Sequence, residues 1–317
     1  TRSNKHKYFF IKDMTLFTNI KSFDKSFLLK LWLSLILYQL SVCPVSAQKD
    51  TMDIKDYILI INTYTESFPW SNRLISTATN FVKDDPKLAV YTEHMNMIMI
   101  DNDSILDQFK DSLFDRYGSH RPRMLLLLGN SSLILKDDLR KMWGDIPMVL
   151  CAGKDYTGPE HYYLTKQPIP LSERVPLAEL SQSCNLTYLY ANLYIHENVE
   201  MMFRTLPRMK RFIYVGDERF VNQVNSQEIQ EILRTKHPDV HYTFLSSRDI
   251  KKTNQLIDSL NFVDPRTTGI LFSSWFHKRQ FAGNMMLTMI LPEIVSTVSP
   301  PIFALNMIEL NDKESGM

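Results

Sequence analysis

Glycine is scarce, at nine in 317 residues, which argues against Gly-rich phosphate loops and against a turn-dense all-β sandwich. The three cysteines are too few for a disulfide scaffold and lack metal-site spacing. No sign of charge dominates: 36 basic residues face 35 acidic ones, so no long-range field draws the chain to a polyphosphate, and nucleic acid is not expected as a partner. GxSxG, HExxH, Walker and GxGxxG motifs are all missing, which removes the motif-based enzyme classes and leaves a chain read as a non-enzyme without cofactor. His237 and His241 stand four apart, but Pro238 and the strand that follows forbid the helical face a zinc pair uses, so no metal is assigned. What remains is a globular chain, 44% hydrophobic, long enough for two lobes of ordinary domain size.

The stretch Asp56 to Ser71 carries the most information. Tyr57 to Ile61 is an unbroken apolar run of strand length, as a strand buried on both faces requires. It breaks into Asn62-Thr63-Tyr64-Thr65-Glu66-Ser67, then Phe68-Pro69-Trp70. Ser71 is expected to cap a helix starting at Asn72, with Pro69 just outside it. The polar-aromatic loop then lies at the carboxyl end of a strand, where open α/β sheets place ligand crevices.

Upstream, Lys21 and Lys25 precede an apolar segment from Phe27 to Tyr38, followed by Val45-Ser46-Ala47. A basic flank, a short apolar run and small residues match a secretory signal cleaved after Ala47. Lys30 leaves the run short of the ~20 residues a membrane-spanning helix needs, although an uncleaved anchor stays open. Leu40-Ser41-Val42-Cys43 resembles a lipid-attachment box, weakened by Val42 and Pro44. Export admits a disulfide between Cys151 and Cys184; two separate buried thiols is the competing reading.

From Ile54 a strand and helix rhythm runs through Lys87–Thr92, Ser104–Tyr117, Met124–Leu128, a capped helix to Trp143 and Pro147–Cys151. Prolines at 159, 168, 170 and 176 interrupt it. It resumes with helices expected at 193–205, 219–236, 248–260 and 279–298, and strands at 211–215, 240–245, 269–272 and 301–305. Alternation of this kind predicts α/β architecture with parallel sheets and helices on both faces. The expected domains are 1–47 as upstream residues and signal, 48–180 as an N-terminal lobe, and 181–317 as a C-terminal lobe.

Loops after the strands supply the candidate ligand-binding residues. The first lobe offers Asn62, Thr63, Tyr64, Glu66, Trp70, Gly129, Asn130, Ser131, Lys154 and Asp155; the second offers Asp217, Ser246, Ser247, Ser273, Ser274 and Trp275. Gly129-Asn130-Ser131-Ser132 reads either as backbone donors for an anion or as an ordinary capped turn. Asp217 reads either as a ligand acceptor or as a carboxylate favouring a helix dipole. Aromatics beside hydroxyls and amides suit a small polar organic ligand such as a sugar, nucleoside or amino-acid derivative.

The form ILIINTYTESFPW at Ile58 to Trp70, the run Leu206 to Asp217, and Pro301-Ile302-Phe303-Ala304-Leu305 resemble type I periplasmic binding proteins. More narrowly they resemble the ABC-type substrate-binding sensor region at the amino terminus of bacterial hybrid two-component histidine kinases. The resemblance covers roughly Ile54 to Met317. It implies two Rossmann-like lobes joined by a hinge, closing on a ligand outside the cytoplasm, with membrane and kinase modules downstream or, alternatively, an ABC permease as partner. Dimerisation stays open. Against the family's pattern, the chain is expected to be truncated before its final return to the first lobe.

Overall fold

The computed structural model describes residues 56–66, 68–278, 285–287 and 290–305. Contacts group the chain into a unit of residues 1–53 and a second unit of 54–317, and the described residues belong to the second. The expected signal segment and the chain's last residues lie outside them. Among the described residues, no helix is long and apolar enough to cross a membrane.

The first sheet is built from β1 (Tyr57–Asn62), β2 (Ala89–His94), β3 (Met124–Leu128), β4 (Met148–Ala152) and β7 (Leu186–Tyr190), ordered β2-β1-β3-β4-β7. Every pairing in it is parallel. Central β1 and β3 are the uninterrupted apolar runs, and Leu59, Ile60, Ile61, Leu125, Leu127 and Leu128 are wholly buried, as a strand covered on both faces demands. The covering helices are α1 (Pro69–Val82), α2 (Asp103–Tyr117), α3 (Lys136–Trp143), α4 (Glu160–Thr165) and α5 (Leu177–Ser183). A two-stranded antiparallel piece, β5 (Tyr156–Thr157) with β6 (Val175–Pro176), ties down the proline-rich passage.

The second sheet contains β8 (Arg211–Gly216), β9 (His241–Ser246), β10 (Thr268–Phe272) and β13 (Ile302–Ala304). Its order from the other edge is β9-β8-β10-β13, the same order of appearance as β2-β1-β3-β4, and it too is parallel. Helices α6 (Ile195–Thr205), α7 (Phe220–Lys236), α8 (Thr253–Asn261) and α9 (Leu291–Thr297) accompany it. Each lobe is therefore a doubly wound α/β unit with its own apolar core. In each, the strand order reverses beside the first strand, between β1 and β3 and between β8 and β10. Such reversal points open a crevice at the carboxyl ends of the strands.

Several expectations need correction. Leu186–Tyr190 falls beyond residue 180 yet pairs with β4 in the first sheet, so the change of sheet comes after Tyr190. Helix α1 begins at Pro69, with Phe68 at its N-cap and no side-chain cap. Proline is suited to that first position because it lacks the N–H that would go unpaired there. Ser71 instead donates to the Phe68 carbonyl and accepts from Asn62. The helix expected from 248 starts at Thr253, because Ser246 closes a turn first: its carbonyl accepts from the Asp249 and Ile250 amides and its hydroxyl from the Arg248 amide. Where a helix was expected over 279–298, Phe276–Lys278 pairs antiparallel with Met285–Leu287 as β11 and β12, and only Leu291–Thr297 is helical. Residues 279–284 lie outside the description. Cys151 and Cys184 are both buried and free.

Candidate functional site

The loops at the two reversal points enclose a pair of adjoining cavities. The first, of about 80 Å³, is lined from the first lobe by Thr63, Tyr64, Phe68, Asn96, Gly129 and Lys154 among others, and from the second by Arg219, Phe220 and Phe276. The second, of about 280 Å³, lies among Tyr64, Phe68, Trp70 and Arg73 of the first lobe and Leu193, Arg219, Asn225, Ser273 and Ser274. Its volume is close to the lower end of ordinary small-ligand sites, about 300 Å³.

Arg219 sits at the meeting point. Its Nε donates to Asp217 Oδ1 at 2.8 Å and its Nη2 to Oδ2 at 2.9 Å, a bidentate pair whose carboxylate is fully buried. Ser274 donates to Asp217 at 2.9 Å and accepts from Arg219 at 2.7 Å. The guanidinium lies 4.0 Å from the Phe276 ring centroid and 5.0 Å from that of Phe68, within cation–π range. Phe68 stacks on Tyr64 at 4.4 Å, and Tyr64 meets Trp70 edge-on at 5.5 Å. An aromatic wall from the first lobe thus faces a fixed cation from the second. Burial raises the Tyr64 hydroxyl's pKa, the Arg219 charge works against that rise, and Asp217 adds to it.

On the other side, Lys154 Nζ reaches across to Glu228 on α7 at 2.8 Å. Lys166, with left-handed backbone at the end of α4, lines the first cavity and donates to the carbonyls of Met97, Ile100 and Leu164. Asn96, also left-handed at φ 51°, carries a buried Oδ1 without a hydrogen-bond partner at the wall of the same cavity. No aspartate or glutamate lines either cavity among the described residues.

Of the residues expected from sequence, Thr63, Tyr64, Gly129, Asn130, Ser131 and Lys154 come together at the first cavity and Tyr64, Trp70, Ser273 and Ser274 at the second. Gly129 has φ +94°, and a Cβ there would come within 2.3 Å of Thr63 Oγ1, so glycine is needed both for the turn and for the close approach. Asn130 is spent on structure: Nδ2 donates to the Lys154 and Tyr156 carbonyls, and Oδ1 accepts from the Gly153 and Lys154 amides. Asn62 is likewise tied to Ser71, His94 and the Tyr64 amide beneath the loop.

The remaining candidates do not line the cavities. Asp217 acts through Arg219. Ser246 and Ser247 accept from the Arg248 and Glu218 amides, closing turns. Glu66 and Asp155 are exposed. Trp275 is wholly buried in the core of the second lobe with Ile213, Phe272 and Ile294, because the chain turns it inward while Phe276 faces the cleft. Arg219, Phe276, Asn225, Lys166 and Asn96 were missed by sequence reasoning, and Phe68 was placed in the aromatic loop without being named as a site residue. Arg219 alone had a legible signal, since it stands two residues after Asp217, just before a helix.

The fold and the cleft define a two-lobed parallel α/β protein with a small-ligand-sized space between its sheets. No protein-family model matches the chain. No curated protein matches it either. Among solved structures, it is similar to a protein described as a LacI transcriptional regulator from Bacteroides fragilis, at 9% identity, TM-score 0.47, covering 78% of this chain and 76% of that one. It is also similar to the ABC domain in complex with L-Trp from Streptococcus pneumonia, at 11% identity, TM-score 0.44, covering 80% and 75%. A third is a carbohydrate transporter solute-binding protein from Agrobacterium radiobacter in complex with D-arabinose, at 10% identity, TM-score 0.42, covering 78% and 75%. At these scores the site has to be read from its own residues.

Proposed function

We propose that the chain is an extracytoplasmic small-molecule-binding domain that captures a polar organic ligand between its lobes and signals by closing on it, as the sensor region of a two-component histidine kinase. The observation that carries this reading is the interlobe cleft: loops from both strand-order reversal points supply its walls, and polar groups from both lobes converge on it. The contacts that bridge it are the Lys154–Glu228 pair, Arg219 over Phe68 and the ring pairs Phe68–Phe276 and Tyr163–Phe220, so lobes that separate and rejoin about the connecting segments must open and re-form this aromatic seam. A switch from mostly open to mostly closed needs about 5 kcal/mol of differential affinity. Ordering the Tyr64, Phe68 and Trp70 wall against a ligand, with a few hydrogen bonds of about 1 kcal/mol each, is of that order. The apolar segment before Ala47 supports export.

The alternative partner is an ABC permease, with the same cleft serving a carrier. Sequence encoded downstream of Met317 discriminates the two: a membrane span followed by a kinase supports the sensor, and a neighbouring permease gene supports the carrier. The binding reading itself is tested by a thermal-shift panel of aldoses, nucleosides and L-amino acids on residues 48–317, followed by small-angle scattering with each stabilising compound. Stabilisation with a smaller radius of gyration is expected. Stabilisation without compaction contradicts closure, and a panel without any stabilising compound contradicts the binding reading.

A further inference from the structure

Asp217 fixes the polarity of a hydrogen-bond chain that ends in the second cavity. A carboxylate only accepts, so Ser274, 2.9 Å from Asp217 Oδ2, must donate to it. Ser274 Oγ then accepts from Asn222 Nδ2 at 3.1 Å, which leaves Asn222 Oδ1 to accept the Tyr214 hydroxyl at 2.8 Å. With its proton committed, the Tyr214 oxygen faces Asn225 as an acceptor, and Asn225 turns Nδ2 toward it at 3.4 Å. The amide orientation at Asn225 is therefore dictated by the chain, since the flipped amide would set oxygen against oxygen. Its Oδ1 is buried and left without a partner, the residue is only 1% exposed, and Asn225 is one of the residues that line the second cavity. A buried acceptor without a donor is costly unless something fills it.

Among the described residues, the charged side chains that line the same cavity, Arg73 and Arg219, are both basic, Arg219 being paired with the buried Asp217. Arg219 spends Nε and Nη2 on Asp217 and Ser274, and its Nη1 has no acceptor among the described residues. Arg73 stands at the wall, and among the described residues no carboxylate does. We propose that the second cavity takes a small organic acid whose carboxylate meets Arg219 and whose hydroxyl or amine donates to Asn225 Oδ1, with its apolar body against Phe68 and Trp70. This rests on the interlobe-binding reading and narrows it: the ligand must bring one anion and one donor.

Three matched probes test it by isothermal titration or ligand-observed NMR: 4-hydroxyphenylacetate, 4-methoxyphenylacetate, which lacks the donor, and methyl 4-hydroxyphenylacetate, which lacks the charge. The wild type is expected to bind the hydroxy acid at least about tenfold more tightly than either analogue, because a site built around a substrate hydroxyl rejects molecules without it. Asn225→Leu should abolish the hydroxy-over-methoxy preference and keep the acid-over-ester preference. Tyr214→Phe keeps the ring but removes the hydroxyl that donates to Asn222 and holds Asn225; it frees the Asn225 amide to turn and should narrow the same preference, and it decides the matter if Asn225→Leu does not fold. Equal binding of hydroxy and methoxy acids by the wild type, or a preference that survives both substitutions, overturns the proposal while leaving the cleft reading in place. Failure of 4-hydroxyphenylacetate to bind at millimolar concentration also overturns it, and the broader panel then reports separately on the cleft.

Discussion

Removing Asp217 should be among the most damaging single changes in the second lobe. Its side chain is fully buried, while that of Arg219 is 13% exposed, and the carboxylate takes bonds from Arg219 Nε, Nη2 and backbone N–H and from Ser274. Asp217→Ala leaves a guanidinium nearly out of water and a serine hydroxyl without its acceptor. Breaking one partner of a buried pair costs about 3–5 kcal/mol. Because Arg219 lines both cavities, water can reach it, which places the expected loss near the lower end, about 3 kcal/mol. Against a typical total of about 5–15 kcal/mol, that moves a urea midpoint unmistakably. The double variant Asp217→Ala, Arg219→Met removes the stranded charge and should be more stable than Asp217→Ala alone, since a well-packed apolar replacement of such a pair is often neutral. Urea unfolding at neutral pH measures all three, with an unchanged slope required before midpoints are compared. Glu231→Ala is the control: its pair with Arg234 is exposed on both sides, and the midpoint should not move. A loss below about 1 kcal/mol for Asp217→Ala, or simple additivity in the double variant, refutes the reasoning.

Gly129→Ala forces a Cβ onto Thr63 Oγ1 at a backbone conformation reserved for glycine; it should cost about 2–3 kcal/mol in denaturant melts and weaken binding of any compound that stabilises the wild type. Lys154→Met severs the interlobe pair with Glu228, whose side chain is 44% exposed; stability should fall by no more than about 1 kcal/mol, while the radius of gyration of the ligand-free protein increases. Alkaline pH should destabilise the fold through Tyr57, whose pKa burial raises to about 12, with a smaller push from Tyr91. The folded state holds this proton more tightly than the unfolded one, so the stabilisation is intact below pH 10 and is lost as pH climbs towards 12. Tyr57→Phe should flatten that part of the stability–pH curve, and absorbance at 295 nm should show one fewer late-ionising tyrosine.

The central strands of both sheets were legible because parallel strands covered on both faces must be continuous apolar runs, and Tyr57–Ile61, Met124–Leu128 and Phe212–Val215 are such runs. Leu186–Tyr190 was not, because an edge strand with Thr187, Leu189 and Tyr190 exposed alternates like a loop. The apolar stretch before Leu291 reads as a helix on composition alone, yet Phe276–Lys278 and Met285–Leu287 form a hairpin, since short apolar runs do not distinguish the two periods. In the site, the rule that ligands sit after strand ends located Thr63, Tyr64, Gly129, Lys154, Ser273 and Ser274. It could not tell which polar residues the fold itself consumes. Asn62, Asn130 and Asp217 look like ligand groups in sequence and are occupied by their neighbours. Asn225 looks like one more polar helix residue, and only the direction of hydrogen bonds arriving from Asp217 leaves its oxygen open.

Hydrogen–deuterium exchange on residues 48–317, with and without the most stabilising compound of the panel, tests capture between the lobes most directly. Protection should rise together in segments 62–65, 96–98, 129–131 and 153–154 of the first lobe and 219–225 and 273–276 of the second. Protection confined to one lobe, or appearing away from these loops, would contradict it.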